Sequence, residues 1–284
     1  MVPKFYLRGF CAPGSERLWV GDIRTQKVYP AHVSDVGVVK DIYAGDSGPH
    51  EDELEERLAE IEGNAAPELR DFLAGDSDVE ENLTRFIGWL AARTMWLRRV
   101  TQENLPTFIR TNKEVFREVV GQEIRHFDFE HLSSGRRERL PLGEALSRID
   151  DPSWQLRVTQ DQHLDAIRMQ AHLFQTQHFP TLKWLRARAP SGYSFITSDR
   201  PVCWNILDAG VGDSPAALRH PFAELTVPLG KHCALVAGHG THNRGWNVNE
   251  INERTCDGAE RFIYGHSEGA VSVLMQRRRG DSFH

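Results

Sequence analysis

Ser198, Asp199, Arg200 and Pro201 close a run of mostly strand-forming residues that begins at Tyr193. A carboxylate at a strand end stands on a rigid platform beside loops, where general bases and metal ligands are commonly placed. Asp199 is therefore the first candidate catalytic group, as a general base or as a ligand of a divalent metal, with Ser198 beside it. Ser198 is the weaker of the two. A serine nucleophile needs a hydrogen-bonded base, and no Gly-x-Ser-x-Gly elbow surrounds it. The same residues also make an ordinary corner, because Ser and Asp side chains bond nearby backbone and proline ends the strand.

Arg93 is the second candidate. It lies three or four residues from Trp89, Trp96 and Leu97, so a helix here sets a charge among bulky apolar groups. A buried arginine needs a carboxylate, since an unpaired one is strongly destabilising. Glu62 and Asp199 are the acids considered as partners. Either the pair is structural, or the planar guanidinium clamps a substrate phosphate or carboxylate. In the second case Glu62 joins Asp199 as acid/base or metal ligand, and Arg200 and Tyr6 complete a substrate-binding set.

The histidines offer less. His172 and His178 are six apart and do not share a helical face, while His239 and His242 fall in a Gly-rich loop with no further ligand pair. No His-Glu-x-x-His, phosphate-binding loop or dinucleotide-binding glycine pattern is present. The basic runs at 134–140 and 276–281 read as solvated loop and tail.

These groups must be held by elements that the pattern of the chain suggests. Residues 17–33 hold two β-rich runs around a polar link, a hairpin whose second run Pro30 confines to an edge. Leu54, Leu58 and Ile61 mark an amphipathic helix, with a break or kink expected at Gly63-Asn64 and a new helix start at Pro67. Leu83, Phe86, Ile87 and Leu90 give the next helix, over 78–100, a deeply packed face. More helix is expected over 106–125 and again over 159–179. Strands return at 193–197, 223–229, 233–238 and 270–275, interrupted by a helix that Asn247 can cap with Glu250 three residues on.

The chain has 284 residues and a formal net charge of −6, which gives no overall attraction to nucleic acid or anionic lipid. No segment reaches the roughly 18 apolar residues of a membrane span, and no signal peptide is visible. Cys11, Cys203, Cys233 and Cys256 stand far apart and read as reduced, mostly buried thiols of a cytoplasmic protein.

Several short boxes recur in order along the chain: Val2-Pro3, Phe5-Tyr6-Leu7 and Phe10; Ile61-Glu62; Phe86-Ile87 with Arg93-Thr94; Ile196 to Pro201; and Pro228-Leu229. Together they resemble an uncharacterised bacterial family, domain of unknown function 4238. The family's opening His has no counterpart at Met1-Val2, and Arg200 stands where the family corner has Asn. The resemblance implies no activity.

Strands, a long helical stretch, then strands predict a single-domain α+β protein. Residues 1–48 and 190–284 would build a sheet from both terminal segments, and 49–189 a helical lobe. Two functions stay open. One is a hydrolase acting on a phosphate-containing or nucleic-acid substrate through Asp199, Glu62, Ser198 and Arg93, with a divalent metal as the conceivable cofactor. The other is a non-catalytic module binding a small anion or a protein.

Overall fold

The computed structural model describes residues 2–36, 49–75, 78–94, 107, 110, 126–157, 160–206, 210–211, 215–239 and 246–281. The predicted hairpin forms as β1 (Arg17–Asp22) and β2 (Lys27–His32), with the Pro30-bearing strand at a sheet edge. β1 pairs on its other side with β12 (Phe262–Gly265), which in turn pairs with the two-residue β7 (Thr197–Ser198). The terminal segments thus share one antiparallel sheet, ordered β2-β1-β12-β7. Of the strand expected over 193–197 only Thr197 qualifies, because the residues before it bond to a loop and a helix. Phe195 N–H donates to Lys231 O, and Ile196 N–H to the Asn252 side chain.

A second antiparallel sheet has the order β6-β11-β10-β8-β9, from Lys183–Arg188, Cys233–Gly238, Ala223–Gly230, Cys203–Ile206 and Gly210–Val211. Every residue of β10 is buried, so this strand is the centre of the molecule. Alternation sends Leu225 and Val227 to one face and Glu224 and Thr226 to the other. Trp204, paired with Leu225, meets Phe174 from the helices on the first face. Glu224 meets Arg254 of α6 (Val248–Gly258) on the second, at 2.9 Å.

The helical lobe packs on the first face. Leu58, Ile61, Ala65, Leu69 and Phe72 line one unbroken stripe, and α2 (Pro49–Ala74) runs through Pro67 without the expected break. Burial of the whole stripe outweighs the hydrogen bond that proline lacks. The carbonyl that the proline ring would crowd belongs to Gly63, exposed on the outer side. α3 (Glu81–Ala92) buries the residues the sequence marked, while Trp96, Leu97 and Val100 lie outside the described residues, as does nearly all of 106–125. Its first turn is capped from α2: Glu68 accepts the Leu83 amide at 2.7 Å and the Asn82 side chain at 2.5 Å. Gly88 of α3 faces α5 (Gln160–Leu173) and Phe174, where a Cβ would stand in ordinary contact, 3.5 Å from the Ala171 carbonyl. α5 runs on into a π-helical turn, Phe174–His178.

Within the stretch read as purely helical, residues 126–157 form a small unit of their own. β3 (His126–His131), β4 (Arg137–Pro141) and β5 (Trp154–Arg157) make an antiparallel sheet covered by α4 (Leu142–Arg148). Phe127, Phe129, Leu146, Ile149 and Leu156 form a core cluster separate from the main one. The basic run at 134–140 is the β3–β4 hairpin and not a loose loop. Its Arg136 and Arg137, with Arg148 and Arg157, pair with Glu130 and Glu138.

The C-terminal strand expected at 270–275 is instead helix α7 (Glu268–Asp281), which also takes in the basic tail. Val271, Leu274 and Met275 are buried at i, i+3 and i+4 spacing, and Glu268 and Arg278 sit at the ends that suit the helix dipole. Arg278 donates to the carbonyl of Ala259 at 3.1 Å, fastening α7 to the end of α6. A short apolar run carries both periods, and the burial partner decides between them.

Candidate functional site

The corner comes first. Asp199 follows β7, and its carboxylate faces the start of β12. Oδ1 accepts the amide of Glu260 at 2.9 Å, and Oδ2 accepts those of Arg261 and Phe262 at 2.8 and 2.9 Å. Burial pushes the Asp199 carboxyl above the usual aspartate range, while these three amides pull the other way by favouring the ionised form. Asp199 thus fastens a strand start. Ser198 is fully buried, and its Oγ accepts the amide of Arg200 at 3.2 Å, the local turn bond its residue type favours.

Arg200 is not displayed in an open cleft. It is 6% exposed, with its guanidinium 5.2 Å from the Trp204 ring centroid. Tyr6 is fully enclosed between the two sheets. Its hydroxyl donates to the carbonyl of Pro228 at 2.5 Å and accepts from Thr197 Oγ1 at 2.8 Å. Burial raises its ionisation far above the ordinary tyrosine value. The phenol therefore acts as a neutral rivet from α1 (Lys4–Arg8) to β7 and β10.

Arg93 pairs with Glu62 at 2.9 Å, and its side chain is 7% exposed. The pair joins the middle of α2 to the end of α3, which is the structural alternative weighed for it. Tyr6, Ser198, Asp199 and Arg200 are thus brought together around β7, whereas Glu62 and Arg93 belong to the helix pair. Asp199, saturated by amides, is not presented as a metal ligand. Among the described residues no group of three or more His, Cys, Asp or Glu is placed to hold a metal ion. His239 donates to the carbonyl of Leu218 at 2.5 Å, and His242 lies outside the described residues.

A groove that no motif announces lies at the opposite end of α3. Glu81, Thr84 and Arg85, at i, i+3 and i+4 on the first turns, share one of its walls. Gln175 of the π-helical turn adds a carboxamide, and Phe179, Pro180, Leu182 and Trp184 supply apolar surface. The cavity is about 320 Å³. Arg85 is half-buried, yet among the described residues it makes no hydrogen bond and no ion pair, even with Glu81 one turn before it. Gln175 Nε2 is buried and likewise has no acceptor. Arg85 thus keeps its guanidinium at the groove without a protein partner among the described residues, in a position to meet an anion. π-helical turns also concentrate at functional sites.

The thiols are enclosed and held in their protonated form. All four cysteines are free and buried, and burial pushes Cys203 up to about 12 and Cys256 up to about 11.

Comparison with known families adds one finding. The family described as Protein of unknown function (DUF4238) matches residues 1–269. The chain belongs to this family. The match runs from α1 into α7, so it takes in the Asp199 corner, the Glu62–Arg93 pair and the Arg85 groove alike. No curated protein and no solved structure matches the chain.

Proposed function

We propose that this member of the family is a non-catalytic module that binds a small anion in the groove beside Arg85. The observation that carries the reading is a half-buried guanidinium, without a partner among the described residues, that lines a cavity. A guanidinium out of bulk water favours an anion strongly. Hydrolysis of a phosphate-containing or nucleic-acid substrate is the weaker reading. Ser198 and Asp199 are engaged by backbone, and Arg136 and Arg137 of the β3–β4 hairpin are paired with Glu138 and Glu130. Among the described residues no helix is long and apolar enough to cross a membrane. Four free, buried cysteines favour the reducing cytoplasm as the place where the module works.

Thermal unfolding in millimolar carboxylates and phosphate, against chloride at equal ionic strength, tests the reading. A ligand that binds only the native state raises the midpoint with concentration. The expected result is a rise with at least one anion that is absent in Arg85→Gln. No rise with any anion, or an equal rise in the variant, would overturn it.

A further inference from the structure

Resting on the small-anion reading above, we propose that the groove takes a monocarboxylate carried on a single flat aromatic ring. Charge restricts the head group. Arg85 is the one cation among the lining residues, and the Glu81 carboxylate lies one helical turn away on the same wall. A phosphate monoester carries close to two negative charges at neutral pH, which would leave charge uncompensated beside Glu81. A carboxylate carries one, and it meets the guanidinium fork through two parallel hydrogen bonds. Gln175, whose amide nitrogen is enclosed, lines the same groove without offering that nitrogen to the ligand.

Shape restricts the rest of the molecule. The Phe179 and Trp184 rings stand 5.2 Å apart between centroids, with planes at 85°. Phe179 is 4% exposed and backs Trp184, so an entering ring meets Trp184, by its face or its edge, the arrangements that aromatic pairs prefer. Pro180 and Leu182 add aliphatic surface to the same walls. At about 320 Å³ the cavity is at the small end of ligand sites, which run from roughly 300 to 1,000 Å³, and it suits one ring better than a nucleotide.

Isothermal titration of the full chain with benzoate, acetate, benzamide and inorganic phosphate separates these features. Benzoate is expected to bind about tenfold or more tightly than acetate, which lacks the ring, and than benzamide, which lacks the charge. Phosphate is expected to bind more weakly than benzoate. Arg85→Gln should weaken benzoate about tenfold or more, and Trp184→Leu should weaken benzoate while leaving acetate unchanged. The ligand series on the unmodified protein decides the matter even where a variant folds poorly. Arg85-dependent binding of acetate or phosphate as tight as that of benzoate would overturn the aromatic acid and leave the small-anion reading standing. Absence of any binding, or benzoate binding untouched by Arg85→Gln, would remove both.

Discussion

At the corner, Asp199 answers three backbone amides, and Tyr6 joins Thr197 to the carbonyl of Pro228. At the groove, Arg85 and the Gln175 amide nitrogen answer nothing among the described residues. The two places hold similar residue types, polar side chains set among aromatic ones, in opposite circumstances. A polar group bonded to its own backbone stabilises the fold and has little left to offer a ligand. One that is partly desolvated and unanswered adds nothing to stability and keeps its full capacity for binding. Chemical potential at a site is thus read from what the side chain has left over.

That contrast is open to attack from the corner first. Asp199→Ala leaves the amides of residues 260–262 without their acceptor, and at roughly 1 kcal/mol or more for each the loss should be about 3 kcal/mol or greater by urea unfolding. A soluble variant of unchanged stability would mean that the clasp is dispensable. Tyr6→Phe should lose about 1–2 kcal/mol in the same assay, because the buried Pro228 carbonyl and Thr197 hydroxyl each forfeit a partner.

A milder effect concerns Asp22, which holds the same tripeptide from the other side. Burial raises its carboxyl, but Arg261 at 2.9 Å and the amides of Thr25 and Arg24 more than offset this, so it is held below the usual range. The unfolded chain then binds this proton more readily than the native one. Asp22 therefore adds stability above an aspartate's ordinary value of 3.8, and that stability drains away as pH falls below it. Asp22→Asn should flatten the acid limb of a stability-against-pH curve, and an unchanged limb would show that Arg261, partly exposed, contributes nothing there. The smallest effect belongs to the groove. Arg85→Gln should leave stability within about 0.5 kcal/mol of wild type. A loss comparable to that of Asp199→Ala would make Arg85 scaffold and erase the contrast.

Much of the frame is legible in the sequence, for a physical reason. β10 and β11 are apolar runs bounded by glycine, Asn247 accepts the Asn249 amide at 2.9 Å as a cap should, and the buried face of α3 follows its period. Those are local properties. Glu250, expected to close a capping box, instead accepts from Arg254 at 2.7 Å, because a buried arginine shared with Glu224 is the stronger claimant. The small sheet was there to be seen in the Phe127–Phe129 alternation and the Ser133-Ser134-Gly135 turn. The candidate site was least legible. The corner's role depends on amides some sixty positions away, as the groove depends on Gln175 meeting Arg85 across ninety. No spacing rule reaches so far.

The pairing of β1 with β12, Trp19 opposite Gly265, has a consequence for the order in which the protein is made. The β1–β2 hairpin leaves the ribosome well before the neighbour that closes its inner edge, since β1 ends at Asp22 and β12 begins at Phe262. At about 5–20 residues per second that interval lasts from roughly ten seconds to about a minute. Throughout it, Leu18 and Val20 have no completed core to enter, and a row of β1 amides and carbonyls stays open to any strand that passes. The unit at 126–157, whose strands are close neighbours in sequence, can fold meanwhile. Synthesis thus lets the local unit fold while β1 waits for its partner.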